Sequence, residues 1–256
     1  MFCFSFLSIV KTFASEKEKQ MATYVFIHGA FQGGWIWKFV ATPLRAAGHL
    51  VYTPTMDGCA ERAHQIRPDI TMEGYVKEVS DLLFFEDLKD VILVGTSTGG
   101  LTASYIANQT QDRIGHLVFI EALLPLPGEK IRDLLTPIPN SGAKWESTKL
   151  AYGPAKEFIY GPMLADLDPE IRAFAAPRFR LYPFSATPRV TGETDFWDKT
   201  WKATVINCTK STNPADAHQY RSAEKLKANL IELDANHYPM LSHSKELTQI
   251  LLDIAK

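Results

Sequence analysis

Val91-Ile-Leu-Val-Gly-Thr-Ser97-Thr-Gly-Gly100 decides how this chain is read. Four apolar residues run into a G-x-S-x-G pattern, and Leu101-Thr-Ala-Ser-Tyr-Ile-Ala107 continues with helix-compatible residues. The pattern predicts a strand, a sharp turn and a helix in direct succession. A serine between such a strand and helix sits in a strained turn, so that its hydroxyl projects. Gly95 and Gly99 carry no Cβ and let the two elements approach closely. The helix N-terminus aims free N–H groups and a positive dipole at the serine. Ser97 is therefore the candidate nucleophile.

Upstream, Tyr24-Val-Phe-Ile27 predicts a short strand that ends in the glycine-rich loop His28-Gly-Ala-Phe-Gln-Gly-Gly-Trp35. Trp35 to Ala47 predicts a helix stopped by Gly48, and His49 to Thr53 a second strand. Pro54 to Asp69 sustains no periodicity and reads as loop. Thr71 is a candidate N-cap for a helix through Phe85, with Val76, Val79, Leu82 and Leu83 at helical spacing. Downstream, Leu117-Val-Phe-Ile120 predicts a strand ending at Glu121.

From Leu124 to Thr200 the alternation stops, and prolines and aromatics become frequent. A stretch this long inside a compact domain is rarely plain loop. It is expected to be an inserted cap of short helices, one of them around Asp168 to Phe174. Its aromatics either pack internally or face a pocket. The alternation resumes with strand Ala203 to Cys208, helix Asp216 to Lys227, strand Leu230 to Leu233 and an amphipathic helix from Ser242 to Ala255. Alternating strands and helices imply an α/β fold, a mostly parallel sheet covered by helices on both faces. Ligands of such sheets bind at the C-terminal strand ends. His28, Ser97, Glu121 and His237 all follow strands and are expected at that edge.

A seryl nucleophile needs a base, because its hydroxyl reacts poorly at neutral pH. His237, after the last strand, is the candidate. His28 is read as shaping the first loop, and His243 as a surface residue of the closing helix. Two backbone N–H groups are needed for the developing oxyanion. Thr98, after the nucleophile, and Ala30, after His28-Gly29, are the expected donors. The acid is less determined. Glu121 ends the neighbouring strand and is the first candidate. Asp216 lies past Pro214, where it can instead serve the start of a helix. Asp234, or a dyad without an acid, also stays open.

The 256 residues suffice for one core with an inserted subdomain, and the net charge of −2 offers no basic face for nucleic acid. Cys3, Cys59 and Cys208 are too scattered for a disulfide framework or zinc cluster, and no other metal-ligand spacing occurs. Neither G-x-G-x-x-G nor a P-loop is present, and seryl chemistry needs no cofactor. Residues 1–20 read as an extension ahead of a domain over residues 21–256, with the cap at about residues 124–200. The apolar run Met1 to Val10 is too short to span a bilayer. A cytoplasmic location is expected, or secretion if residues 1–14 act as a signal peptide. The oligomeric state stays open, a homodimer included.

Together, His28-Gly-Ala-Phe-Gln-Gly-Gly-Trp-Ile-Trp37, Leu44-Arg-Ala-Ala-Gly-His49, Gly58 to His64, Gly95-Thr-Ser-Thr-Gly-Gly100 and His237-Tyr-Pro-Met-Leu241 resemble the α/β-hydrolase superfamily. More narrowly, the chain is similar to small esterases grouped with plant methyl esterases and hydroxynitrile lyases, and to their bacterial relatives. The resemblance covers roughly residues 22–256. It implies Ser97 as nucleophile, His237 as base and Ala30 and Thr98 as oxyanion donors. Two departures matter. The common G-H-S is Gly95-Thr96-Ser97 here, and the acid of the plant C-T-E-D loop is missing, since Lys210 and Ser211 follow Thr209. Some bacterial relatives share that lack and carry Asp where Glu121 stands. The lyase branch has Thr at the place of Gly29 and Lys at the place of Tyr238. The expected activity is hydrolysis of a carboxylic ester or lactone of a small, largely apolar molecule through an acyl-enzyme. A C–C lyase on the same scaffold and a non-catalytic ligand-binding protein are the alternatives.

Overall fold

Alternate residues of the first strand, β1 (Thr23–Ile27), bury apolar side chains on opposite faces of one sheet. Tyr24 and Phe26 pack with Trp37, Val40, Leu44, Leu247 and Leu251, while Val25 and Ile27 pack with residues such as Val79, Leu83, Leu101 and Ile106. A strand apolar on both faces belongs inside a parallel sheet covered by helices, and this is the observed arrangement. A computed structural model describes residues 21–135, 145–186, 192 and 194–256. The expected extension at residues 1–20 lies outside the described residues.

After β1 come α1 (Lys38–Ala46), β2 (Leu50–Tyr52), α2 (Met72–Phe85), β3 (Val91–Ser97), α3 (Thr98–Gln109) and β4 (Ile114–Ala122). The chain between β4 and the next sheet strand carries α4 (Ile131–Leu134), β5 (Trp145–Ser147), β6 (Ala151–Pro154), α5 (Lys156–Tyr160), α6 (Pro169–Ala175) and β7 (Tyr182–Pro183). It ends in β8 (Ala203–Cys208), followed by α7 (Asp216–Leu226), β9 (Asn229–Leu233), α8 (Pro239–Ser242) and α9 (Ser244–Ile254). The sheet order is β2-β1-β3-β4-β8-β9, and every neighbouring pair is parallel. The order reverses between β1 and β3, so the switch point that favours ligand binding lies where the His28 loop meets Ser97.

Several local expectations hold. The Thr71 hydroxyl accepts from Gly74 N and caps α2, and α6 forms beside Asp168. Others shift. A 3-10 turn, Gly34–Trp37, precedes α1, and another, Ala60–Gln65, interrupts the expected loop. The closing helix is split at His243, whose backbone (φ −126°, ψ 40°) leaves the helical range. The cap has its short helices, and also an antiparallel sheet of order β5-β6-β7 that the sequence reading did not anticipate. The termini of the domain lie together: the Tyr24 hydroxyl donates to Leu251 O at 2.8 Å, and α1 packs on α9.

Candidate active site

The turn after β3 has the strain its sequence requires. Ser97 has φ 52° and ψ −130° and directly precedes α3. Left-handed φ is uncommon for a residue with a side chain. The glycines around it are dictated by space. A Cβ on Gly95 would stand 2.7 Å from Gly99 O, one on Gly99 2.5 Å from His28 O, and one on Gly100 2.5 Å from Ala122 Cβ. Any side chain there would push the helix away from β1 or β4. Ser97 and Thr98 themselves stay half-buried.

The first loop closes on the serine from the β1 side. A Cβ on Gly29 would lie 2.8 Å from Ser97 Cβ. His28 is buried, and its Nε2 accepts from Met56 N at 3.0 Å. That bond makes Nδ1 the protonated nitrogen, and it donates to Gly29 O at 2.8 Å. Burial lowers the His28 pKa to about 4, against the opposing pull of the Gly29 carbonyl and Glu61. His28 is thus a neutral tether with both nitrogens engaged, in keeping with its reading as a loop-shaping residue. Gly29 C=O and Ala30 N–H belong to one planar trans peptide and point in opposite directions. By holding the carbonyl, His28 sets the direction of the Ala30 N–H. That N–H donates to no acceptor among the described residues. Thr98 N–H is in the first turn of α3, where helical amides lack an internal acceptor.

Glu121 is fully buried near the end of β4, with φ 47°. Its Oε1 accepts from Cys208 N, at the end of β8, at 2.6 Å. Its Oε2 faces His237 Nδ1 at 3.7 Å. Both of these atoms are buried and lack a hydrogen-bond partner, so each is the other's nearest remedy. A buried unpartnered donor and acceptor cost free energy until they meet, and closure by less than 1 Å would join them. His237 N is fixed by Asn236 Oδ1 at 2.9 Å. Asp216 stands instead in the first turn of α7, half-buried, and forms no ion pair with His237. Asp234 is exposed and pairs with Lys210 at 2.9 Å. The structure therefore gathers His28, Ala30, Ser97, Thr98, Glu121 and His237 at one sheet edge and leaves Asp216 and Asp234 outside. His243 is half-buried at the start of α9, with Nδ1 2.9 Å from Ser242 Oγ.

Phe31 continues the first loop at φ 68°. Its ring meets Trp145, Tyr152 and Tyr182 of the cap sheet at centroid distances of 5.7, 5.5 and 6.1 Å. Cap aromatics therefore stand beside the loop that holds Ala30. Phe196 and Trp201 stack at 5.3 Å and bury themselves against Phe119, as packing residues. One residue of the site escaped the sequence reading: Cys208, whose N–H holds Glu121. The strand-end rule that selected Glu121 also points to Cys208. No group of three metal-capable side chains occurs among the described residues, and no helix among them is long and apolar enough to cross a membrane.

The chain belongs to the α/β-hydrolase family: the sequence model described as "Alpha/beta hydrolase family" matches residues 24–250. Among its relatives, the carbendazim hydrolyzing esterase of Nocardioides sp. (strain SG-4G) is 40% identical over 115 residues, 45% of this chain and 48% of that protein. That match thus spans about half of the relative's length. Methylesterase 7 of Arabidopsis thaliana is 26% identical over 251 residues, covering 91% of this chain and 95% of the relative. In fold, the chain is similar to polyneuridine aldehyde esterase, with a TM-score of 0.76 at 21% identity over 93% of this chain and all of that one.

Proposed function

We propose that this protein is a serine esterase that cleaves a carboxylic ester or lactone of a small, largely apolar molecule. The buried Glu121 carboxylate facing His237, beside the strained Ser97, is the observation that carries the reading. Ser97 Oγ attacks the carbonyl carbon while His237 Nε2 takes its proton. Charge develops on the carbonyl oxygen, where the Ala30 and Thr98 N–H groups receive it. The tetrahedral intermediate collapses, the alkoxide leaves with the proton from His237, and an acyl-serine remains. Water then attacks that acyl group by the same route in reverse roles and releases the acid. Glu121 keeps the Nδ1–H tautomer and offsets the imidazolium charge.

Names of relatives support the ester class. One is called a carbendazim hydrolyzing esterase and another a methylesterase. The aromatic rings around Phe31 support an apolar acyl or alkoxy group. Gly29 and Tyr238 stand where the lyase branch carries Thr and Lys, which favours hydrolysis over C–C cleavage. The test is labelling by a fluorophosphonate serine probe with peptide mapping, in wild type, His237→Ala, Glu121→Gln and Asp216→Asn. Labelling at Ser97 should collapse in the first two variants and survive in the third. Loss in the Asp216 variant alone would move the acid to α7. A folded wild type that takes no label, yet binds small apolar molecules, would be a binding protein on this scaffold.

A further inference from the structure

Arg62 stands in the 3-10 turn Ala60–Gln65, and the chemistry above does not use it. All three of its guanidinium nitrogens are engaged. Nη2 pairs with Glu78 Oε1 at 2.8 Å, Nε donates to Gln65 Oε1 at 3.1 Å, and Nη1 donates to Thr55 O at 2.7 Å. A planar fork bound at three corners has little freedom to turn. Glu78, on α2, also accepts from Asp57 N through Oε2 at 3.2 Å, so α2 anchors both the arginine and the segment it holds. The turn touches the first loop directly: a Cβ on Gly33 would stand 2.4 Å from Ala60 Cβ.

From Thr55 O the bonds continue in one direction. Thr55 C=O and Met56 N–H belong to one planar trans peptide, and Met56 N donates to His28 Nε2 at 3.0 Å. His28 Nδ1 donates to Gly29 O at 2.8 Å. Gly29 C=O shares its peptide with Ala30 N–H, the expected oxyanion donor. Each group in the row accepts on one side and donates on the other, from a cation to the site, and bonds in such a row polarise one another. The row also fixes a choice that His28 cannot make alone. A neutral imidazole carries its proton on either nitrogen. With the proton on Nε2, His28 would meet Met56 N–H donor to donor, and the Nδ1 lone pair would face Gly29 O. The Thr55–Met56 peptide excludes that tautomer while its N–H points at the ring, and Arg62 holds the other end of the same peptide.

We infer that Arg62 is a positioning residue that aims the Ala30 N–H at the oxyanion through the Thr55–Met56 peptide and the His28 ring. The inference rests on the esterase reading of Ser97 and Ala30. The experiment uses the full chain with p-nitrophenyl acetate, a trifluoromethyl ketone and NMR of the histidine rings. Arg62→Met removes the first bond of the row and keeps the aliphatic bulk. Arg67→Met is the control: Arg67 pairs with Asp57 at 2.6 Å and Asp69 at 2.9 Å but makes no bond to the row among the described residues. Acylation and deacylation both place charge on the oxyanion, so kcat falls whichever step limits. The expected loss in Arg62→Met is about 5- to 30-fold in kcat with KM within about twofold, less than the roughly 10²- to 10³-fold for loss of an oxyanion donor itself. Affinity for the ketone, whose adduct on Ser97 carries the same oxyanion, should fall by a similar factor. The His28 Nδ1–H proton resonance should move upfield, because its bond loses a polarising neighbour. Arg67→Met should match the wild type in all of these. A merely structural arginine would lower the melting temperature and move none of them well below it. Wild-type kcat or an unmoved His28 resonance in Arg62→Met, or an equal loss in Arg67→Met, would overturn the inference. Should Arg62→Met fail to fold, Arg62→Gln decides by the same readouts. A wild type that hydrolyses the ester and labels at Ser97 while Arg62→Met matches it refutes only the role of Arg62. A wild type that does neither removes the esterase reading beneath it.

Discussion

Three residues with side chains hold left-handed φ around one point: Phe31 at 68°, Ser97 at 52° and Glu121 at 47°. Each such residue costs about 1–3 kcal/mol and persists only where its surroundings over-determine it. The serine was legible because its glycines are a spacing pattern. The strain at Phe31 and Glu121 was not, since neither residue type advertises it. Glu121 offers a clean separation of two effects. Glu121→Gln keeps an acceptor for Cys208 N–H but removes the charge opposite His237. Its expected outcome is a kcat loss of about 10²- to 10⁴-fold with little change in stability. Glu121→Ala also strands the buried Cys208 N–H, which costs about 1–3 kcal/mol. Activity assays with urea titrations of both variants check this. Equal stability of the two would mean that the Cys208 bond contributes nothing.

At the scale of elements, the sheet strands and the α2 cap were readable, and the cap sheet was not. Strands in the core repeat an apolar pattern over several residues, whereas β5, β6 and β7 run for 3, 4 and 2 residues and contain Pro154, Pro183 and Gly153. Nothing in so short a stretch distinguishes a strand from a turn. The pairing of β6 with β7 joins partners about 30 residues apart, such as Tyr152 and Tyr182, and no local window contains them. The sequence left the candidate acid open for a similar reason. Only the lateral neighbourhood of β4 and β8 brings Glu121 beneath His237. Two substitutions probe the elements. Thr71→Ala removes the side-chain cap of α2 and is expected to cost about 1 kcal/mol in chemical denaturation, with activity retained. Gly99→Ala forces a Cβ to 2.5 Å from the His28 carbonyl. Displacement of α3 should cost about 1–3 kcal/mol and should abolish Ser97 labelling at temperatures where the variant is still folded. Normal labelling would show that the turn yields more freely than its contacts suggest.

For the whole molecule, three buried histidines make stability depend on pH. Burial lowers His28, His116 and His218 each from 6.5 to about 4, assisted by Lys202 at His116 and Arg221 at His218. The unfolded chain takes up these protons near the ordinary histidine pKa, and the folded chain only near pH 4. Their contribution is therefore complete above about pH 6.5 and is lost as pH falls towards 4, by about 1.4 kcal/mol per pH unit for each histidine. Urea unfolding at pH 7 and pH 5 should show that decline, and His116→Gln should flatten it by about one third. A variant with the wild-type slope would exclude His116. The Tyr24–Leu251 bond has a further consequence, in time rather than in space. A ribosome adding about 5–20 residues per second delivers the partner of the first strand some ten to fifty seconds after that strand has emerged. Until then β1 lacks α9, which together with α1 covers one of its faces, and a growing chain must keep an apolar strand from self-association. Nascent chains stalled before Leu251 should remain open to protease and to chaperones, and the same chains extended past residue 256 by a linker should not.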